Sequence, residues 1–233
     1  MRDHLYRRMI ACPLVTFDRG VVESVTRCSF SEAPFRVNYS TVDASADIAN
    51  KLADRLRSRP DNASVVLLCI GTDRSTGDSL GPLTGSKVSA RDSHAHVFGT
   101  LDHPVHAVNL AETIREIECR FANPFIVAVD ACLGQAASIG QITLAEGALR
   151  PGAGVHKTLP EVGHIHITGI VNVGGFMEYF VLQNTRLAVV YKMAQTIADG
   201  LHMALLADAS SSKESAAASR SAGGARSGWW RIR

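Results

Sequence analysis

The chain has little charge imbalance and no long apolar run. Its 24 Lys and Arg residues nearly match its 22 Asp and Glu residues, which gives a formal net charge of +2. So small a net charge creates no global field that would attract nucleic acid or an anionic membrane surface. A run of about 18 apolar residues, the length of a membrane helix, is absent, and the N-terminal apolar stretch is too short for a signal peptide. We therefore expect a cytoplasmic protein with neither a nucleic-acid nor a membrane partner.

Cysteine is sparse and unpatterned. The five cysteines are odd in number, and no two have the C-x-x-C spacing of thiolate metal sites. This pattern suits the reducing cytosol better than a disulfide framework. The glycine-rich loop from Gly71 to Pro82 matches neither G-x-x-x-x-G-K-[ST] nor G-x-G-x-x-G, the two common nucleotide-binding patterns. We therefore expect no cofactor. A metal site made of carboxylate and histidine ligands is considered below.

Helical and strand patterns alternate between residues 43 and 207. Short apolar runs typical of strands lie at 64–70, 96–99, 125–129, 139–144 and 164–173. Helices are predicted at 43–59, 83–89, 109–117 and 176–206, the last with an interruption near Asn184. Strands that alternate with helices favour a layered α/β fold whose sheet is covered on both faces.

The two ends of the chain lack such a pattern. In residues 1–42, Val21–Val22 and Phe35–Val37 fit either a short edge strand or part of a loosely attached arm. From about Asp208 the sequence is rich in Ser, Ala and Gly, and this composition buries too little apolar surface to fold. We therefore expect an N-terminal extension (1–42), an α/β domain (43–207) and a disordered tail (208–233).

Two aspartates follow apolar runs that are typical of buried strands. Asp78 lies in the loop after residues 64–70, and Asp130 comes directly after residues 125–129. Open α/β sheets bind ligands at the carboxyl ends of their strands, so two acids delivered there indicate an active site. Two carboxylates held close together do not both ionise readily, and one keeps its proton. Such a pair supplies both an acid and a base for activating water against a carbonyl.

Other interpretations of these residues stay open. Asp78 or Thr76 fits the cap of a following helix, and Asp73 is an ordinary residue in a glycine-rich turn. The two acids also fit a divalent metal site with a histidine as the third ligand. The candidate histidines are His94, His96, His103, His106, His164 and His166. Cys132, close to Asp130, is a further candidate as a nucleophile.

Four segments resemble a known family. They are Cys69–Pro82, Gly99–Leu110, Val129–Gly134 and His166–Val173. In this order they resemble the YyaC family (DUF1256), regarded as spore proteases of endospore-forming bacteria. More distantly, the chain is similar to the germination protease that degrades small acid-soluble spore proteins and to hydrogenase maturation endopeptidases. The resemblance implies a three-layer α/β/α sandwich of the phosphorylase/hydrolase-like type, with a twisted, mostly parallel or mixed central sheet.

The resemblance also implies roles for individual residues. Asp78 and Asp130 match the paired acids of the germination protease, so they are the expected catalytic residues. Substrate binding or support of the loop is expected of Gly71, Thr72, Asp73, Gly77, Asn109, His166 and Asn172. Hydrogenase maturation endopeptidases instead have a Glu at the position of Asp78 and add a histidine ligand, for which no residue is assigned here.

The function implied by the resemblance is that of a sporulation-associated peptidase of the forespore or spore core. Its partner would be a protein or peptide substrate, such as the small acid-soluble spore proteins. Two alternatives are compatible with the same residues: a protein that binds a peptide or metal without turnover, and a metal-assisted hydrolase that uses both carboxylates. The sequence leaves open whether the chain forms a homo-oligomer.

Overall fold

The structure is a computed structural model that describes residues 33–91, 95–151 and 159–223. Its strands are β1 (Phe35–Asn38), β2 (Ser64–Cys69), β3 (His96–Phe98), β4 (Pro124–Gly134), β5 (Gln141–Glu146) and β6 (Ile165–Val173). Its helices are α1 (Ala44–Arg57), α2 (Leu80–Ser89), α3 (Leu110–Arg120), α4 (Glu178–Gln183) and α5 (Leu187–Gly223). Short 3-10 turns lie at Gly77–Ser79, directly before α2, and at Ala136–Ser138, after β4.

The strands form one mixed sheet in the order β1-β5-β6-β4-β2-β3. The neighbours β3, β2, β4 and β6 are parallel, whereas β5 is antiparallel to both β6 and β1. β2 and β4 pair along their whole shared length, from Ser64 opposite Pro124 to Cys69 opposite Val129. The carboxyl end of β2 therefore lies beside Val129, directly before Asp130 in β4.

Helices cover both faces of the sheet. Helices α1, α2 and α5 pack on one face, where Leu52, Leu80 and Ile197 join Leu67 and Val127 in the larger core. Helix α3 packs on the opposite face, and this smaller core contains Leu110, Ile117, Val66, Leu68 and Ile126. Alternate residues of β2 and β4 thus enter different cores, as the pleat of a strand requires. The fold is the predicted three-layer α/β/α sandwich with a mixed central sheet.

The sheet begins earlier in the chain than predicted. β1 pairs antiparallel with β5, with Val37 opposite Ile142, and the Val37 side chain is buried. Of the two alternatives for Phe35–Val37, the edge strand is the one observed. Val21–Val22 and the rest of residues 1–32 lie outside the described residues.

Helix α5 continues past the point at which the sequence predicts a disordered tail. It extends to Gly223, so the expectation of disorder is wrong for residues 208–223. Alanine has the highest helix propensity, and a helix that is already packed extends without a new nucleation step. Residues 224–233 lie outside the described residues. No helix in the described part of the chain, α5 included, is long and apolar enough to span a membrane.

The boundaries of other elements follow the sequence closely, with one consequential exception. The predicted break near Asn184 separates α4 from α5, and Pro82 lies in the first turn of α2. β4, however, does not end with its apolar run at Val129. It continues to Gly134 because its next residues pair with β6, with Asp130 opposite Thr168. Asp130 therefore lies inside a strand instead of in the loop that follows it.

Candidate active site

The candidate site lies where β2 ends beside β4. The chain leaves β2 at Cys69, forms a loop, and enters the 3-10 turn Gly77–Ser79, which carries Asp78. Asp130 extends from β4 on the sheet face that α3 covers, two residues beyond the buried Ala128. Both predicted carboxylates thus reach the same end of the sheet from neighbouring strands.

The loop folds back on itself because Gly71 has no side chain. Gly71 has a φ of +140°, and a Cβ there would lie 1.9 Å from the main-chain oxygen of Asp78. The Thr72 N–H donates to this same oxygen at 3.2 Å, while the Gly71 N–H donates to Val105 O at 2.7 Å. A residue with a side chain would push Asp78 away from the end of β2. Gly71 and Thr72 therefore shape the loop that carries Asp78.

Asp130 is buried, with 7% of its surface exposed. Its Oδ1 accepts a hydrogen bond from the Ala131 N–H at 2.8 Å. Burial, and in second place the negative charge of Asp78, raise the pKa of Asp130 well above its ordinary value, and the Ala131 hydrogen bond offsets only part of this. The protonated form of Asp130 is thus favoured in the folded protein.

Asp78 is less deeply buried than Asp130. Burial raises the pKa of Asp78, but a hydrogen bond from the Thr72 main-chain amide and the charge of His106 both lower it. Asp130 has no cationic neighbour among the causes of its own pKa shift. Of the two coupled acids, Asp78 is therefore the one that ionises more readily, and Asp130 is the one that keeps the proton.

Asn109 holds the loop that presents His106 to Asp78. The Asn109 Oδ1 accepts from the His106 N–H at 2.8 Å, and its Nδ2 donates to Pro104 O at 3.0 Å. Nδ1 of His106 lies 3.3 Å from the Val108 main-chain nitrogen. Asn109 precedes α3, as predicted, but its side chain makes no capping hydrogen bond to the helix. Its role is to close the 104–109 loop.

Hydrogen bonds between β6 and the segment around α4 support the turn that carries Asp78. Asn172 donates from Nδ2 to Val181 O and to Thr185 Oγ1, both at 3.2 Å. Gly77 lies against this support, since a Cβ there would be 2.9 Å from Thr185 Oγ1 and 2.7 Å from Leu182 Cδ2. Asn172 and Gly77 therefore position the Asp78 turn against α4.

Cys132 and Thr168 share the sheet face of Asp130. Thr168 lies opposite Asp130 in the pairing of β4 with β6 and hydrogen-bonds the Cys132 thiol. Burial, together with the charge of Asp130, raises the pKa of Cys132 to about 11. At neutral pH this thiol stays protonated, whereas a nucleophilic cysteine needs a thiolate. The geometry thus disfavours Cys132 as the nucleophile.

Two of the predicted site residues, Asp73 and His166, have contacts of their own. Asp73 is exposed in the loop, where its Oδ1 is 3.5 Å from Thr72 Oγ1. His166 lies opposite Ala128 in the sheet, and its Nδ1 is 2.9 Å from Gly147 O, so it fastens β6 to the turn after β5. The interpretation of Asp73 as an ordinary turn residue fits its position.

Two of the histidines proposed as metal ligands have partners elsewhere in the fold. His164 accepts at Nδ1 from the Ile126 N–H at 3.0 Å, and His96 packs against Phe121. His94 lies outside the described residues. Within the part of the chain that the structure describes, no group of three or more His, Cys, Asp or Glu side chains is arranged to hold a metal ion.

Thr168, Thr185 and the specific role of His106 were not found from the sequence. The only sequence signal for Thr168 is its position two residues after His166, on the same face of a predicted strand. Nothing in the sequence states which residue of β4 lies opposite it. His106 was one of six candidate histidines, and no spacing rule separated it from the others.

Comparison with known proteins identifies relatives of the chain. Residues 36–200 match the model of a family described as protein of unknown function (DUF1256). The chain is 52% identical over 168 residues to the uncharacterized protein YyaC of Bacillus subtilis (strain 168), an alignment that covers 72% of this chain and 82% of that protein. Among solved structures, the crystal structure of the hydrogenase 3 maturation protease aligns with a TM-score of 0.37 and 17% identity, over 58% of this chain and 87% of that one.

Proposed function

The chain belongs to the DUF1256 family, and we propose that it is a peptidase in which Asp78 and Asp130 activate water against a peptide bond. The observation that carries the proposal is the placement of two carboxylates where β2 ends beside β4, with Asp130 buried. The charge of Asp78 adds to burial in raising the pKa of Asp130. A pair with one ionised and one protonated carboxylate holds the base and the acid that amide hydrolysis needs.

The unequal surroundings of the two acids assign their roles. The Asp78 carboxylate, favoured by the Thr72 amide and His106, removes a proton from water as the water oxygen bonds to the peptide carbonyl carbon. Asp130, which keeps its proton, donates it to the carbonyl oxygen, so a neutral gem-diol forms. As the C–N bond breaks, the proton on Asp78 passes to the leaving nitrogen, and Asp130 takes back a proton from one hydroxyl group. Water is consumed, and both carboxyl groups return to their starting states.

The substrate proposed is a protein of the spore, with the small acid-soluble spore proteins as the first candidates. Support comes from the sequence resemblance of Asp78–Pro82 and Asp130–Ala131 to the paired-acid segments of the germination protease. On this proposal the protein acts inside the forespore or the spore core, where those substrates are found.

The test is incubation of the purified full-length chain with small acid-soluble spore proteins, read by intact-mass spectrometry. Discrete products are expected from the unaltered chain and from the Asp61→Asn control, whose altered carboxylate is exposed in the turn before β2. Asp78→Asn and Asp130→Asn should each reduce the rate by at least about a hundredfold, as expected for loss of a general acid or base. Undiminished cleavage by either variant would refute the assignment.

Two further measurements distinguish the peptidase from the metal-assisted hydrolase and from the binding protein. Loss of cleavage on addition of a chelator would support a metal-assisted hydrolase that uses the same carboxylates. Tight binding of the spore proteins with no products over many hours would identify a binding protein and contradict the peptidase proposal.

A further inference from the structure

β3 is an edge strand of the sheet. It pairs with β2 on one side, from Val66 opposite His96 to Leu68 opposite Phe98. No strand within the described residues pairs with its other side. Such an edge presents main-chain N–H and C=O groups to which an extended peptide can add as a further strand.

A groove of about 570 Å³ lies at the carboxyl end of this edge. Its walls are the end of β3, the loop after it and the first turns of α3, represented by Phe98, Thr100, His103, His106, Asn109 and Glu116. Its volume is within the usual range of ligand sites, which is about 300–1,000 Å³.

Acidic side chains line the groove, whereas lysine and arginine side chains do not. Asp102 and Glu116 contribute carboxylates, and no Lys or Arg is among the residues that line it. Two histidines complete its polar lining, His103 and His106. The groove is therefore complementary to a positively charged side chain.

The groove wall is hydrogen-bonded to the loop that carries Asp78. This residue lines the groove, and its charge acts on Asp78. Val105, another lining residue, accepts the hydrogen bond of the Gly71 N–H at 2.7 Å, so the groove wall is joined to the catalytic loop.

We propose that a protein substrate binds as an extended segment along the outer edge of β3 and places a lysine or arginine side chain in the groove, against Asp102 and Glu116. This inference rests on the proposed peptidase function. A strand added beside β3 would be separated from β4 by three strand spacings of about 4.8 Å each, which is a distance of roughly 15 Å. At about 3.3 Å per extended residue, the basic residue lies about four or five residues from the bond that is cleaved.

The test measures binding of fluorescein-labelled decapeptide mixtures to the full-length chain by anisotropy at low salt. The mixtures are identical apart from one fixed position that carries Lys, Arg, Gln or Glu. The Lys and Arg mixtures should bind about tenfold more tightly than the Glu mixture, and 0.5 M NaCl should reduce this preference through screening. Equal binding of all four mixtures would overturn the inference.

Charge reversal locates the site. Glu116→Lys and Asp102→Lys should each abolish or invert the preference, whereas Glu112→Lys should not, because Glu112 is an exposed residue of the same helix that does not line the groove. Melting temperatures verify that each variant is folded. A preference that survives both groove variants would exclude this surface.

Strand addition and turnover have separate readouts. Methylation of the peptide amide nitrogens at alternate positions should weaken binding in one of the two alternating sets only, because a strand presents every second amide to its neighbour. If the charge preference and this alternation appear but no peptide is cleaved, the docking surface stands and the peptidase proposal fails. If peptides are cleaved with no basic residue four or five positions away, the docking proposal fails alone.

Discussion

Gly71 and Asp78 are in direct main-chain contact across the loop that follows β2. A Cβ on Gly71 would lie 1.9 Å from the Asp78 carbonyl oxygen and 3.1 Å from the carbonyl carbon. The missing side chain is thus what allows the Asp78 carboxylate to stand at the end of β2, beside Asp130. The position of the candidate base depends on a glycine seven residues before it in the sequence.

Gly71→Ala should therefore damage both stability and activity. The new Cβ overlaps main-chain atoms, which have no flexible end that could move aside, and the φ of +140° is unfavourable for alanine. The expected loss is about 3 kcal/mol or more in the free energy of unfolding. Urea denaturation measures this loss, and peptide cleavage reports the displacement of Asp78.

Gly147→Ala is the matched control for this substitution. Gly147 also has a positive φ, +95°, but a Cβ there would meet nothing within 4 Å. Only the conformational cost of about 1 kcal/mol is expected, with cleavage unchanged. Equal losses in the two variants would show that the contact between Gly71 and Asp78 is not the cause.

Asp130→Asn should stabilise the protein, and increasingly so as the pH rises. The pKa of Asp130 in the folded chain is raised from its ordinary value of 3.8. The contribution of protonated Asp130 to the free energy of unfolding is fully present below pH 3.8. This contribution is lost as the pH rises through the pKa that Asp130 has in the folded protein. Asparagine keeps an oxygen that accepts the hydrogen bond of the Ala131 N–H, and it does not ionise in this pH range. The variant therefore does not lose stability as the pH rises through the pKa of Asp130.

Thermal melts from pH 4 to pH 8 measure this effect. The melting temperature of Asp130→Asn should diverge upward from that of the unaltered chain across this window. Asp73→Asn, which replaces an exposed carboxylate, should show no such divergence. A constant or inverted difference for Asp130→Asn would mean that this carboxylate is not held in its protonated form.

His106→Gln should move the acid limb of the activity profile to higher pH. The charge of His106 lowers the pKa of Asp78, so its removal raises that pKa and the base is protonated at a higher pH. The dependence of kcat/KM on pH shows the shift, and the alkaline limb, which Asp130 sets, should change less. His103→Gln alters a neighbouring groove residue that is not a cause of the Asp78 shift. An acid limb that moves equally in both variants would contradict this role for His106.

The hydrogen bond between Asn172 and Thr185 should show coupled energetics. Asn172→Ala and Thr185→Val each remove one partner of a 3.2 Å bond that supports the Asp78 turn. Each should cost about 1–2 kcal/mol in stability, and the double variant should cost less than the sum by about 0.5–1 kcal/mol. Full additivity in urea denaturation would show that the two side chains act independently.

Sequence patterns could predict the strand-end aspartates for a specific physical reason. Parallel strands end at the same edge of a sheet, so acids after two buried runs reach the same edge. They lie close together here because β2 and β4 are neighbours. This argument holds for Asp78 and Asp130 without knowledge of their register. It does not extend to Thr168, whose relation to Asp130 depends on the pairing of β4 with β6.

Tertiary pairing also explains the differences in secondary structure. β4 runs past its apolar segment because β6 supplies partners for its main chain, and β1 is a strand because β5 pairs with it. The continuation of α5 to Gly223 reflects helix propensity, which an argument from apolar content alone leaves out. Asn109 was placed correctly before α3, but the hydrogen bonds that close its loop depend on the geometry of residues 104–109.

The most direct test of the account is a carbon-13 NMR titration of the Asp130 carboxyl group in the full-length chain and in Asp78→Asn. Asp130 should stay protonated well above the pH at which an ordinary aspartate ionises, and loss of the Asp78 charge should lower the pKa of Asp130. If Asp130 titrated near 3.8 and did not respond to the Asp78→Asn substitution, the two carboxylates would not share a proton, and the proposed acid and base would be wrong.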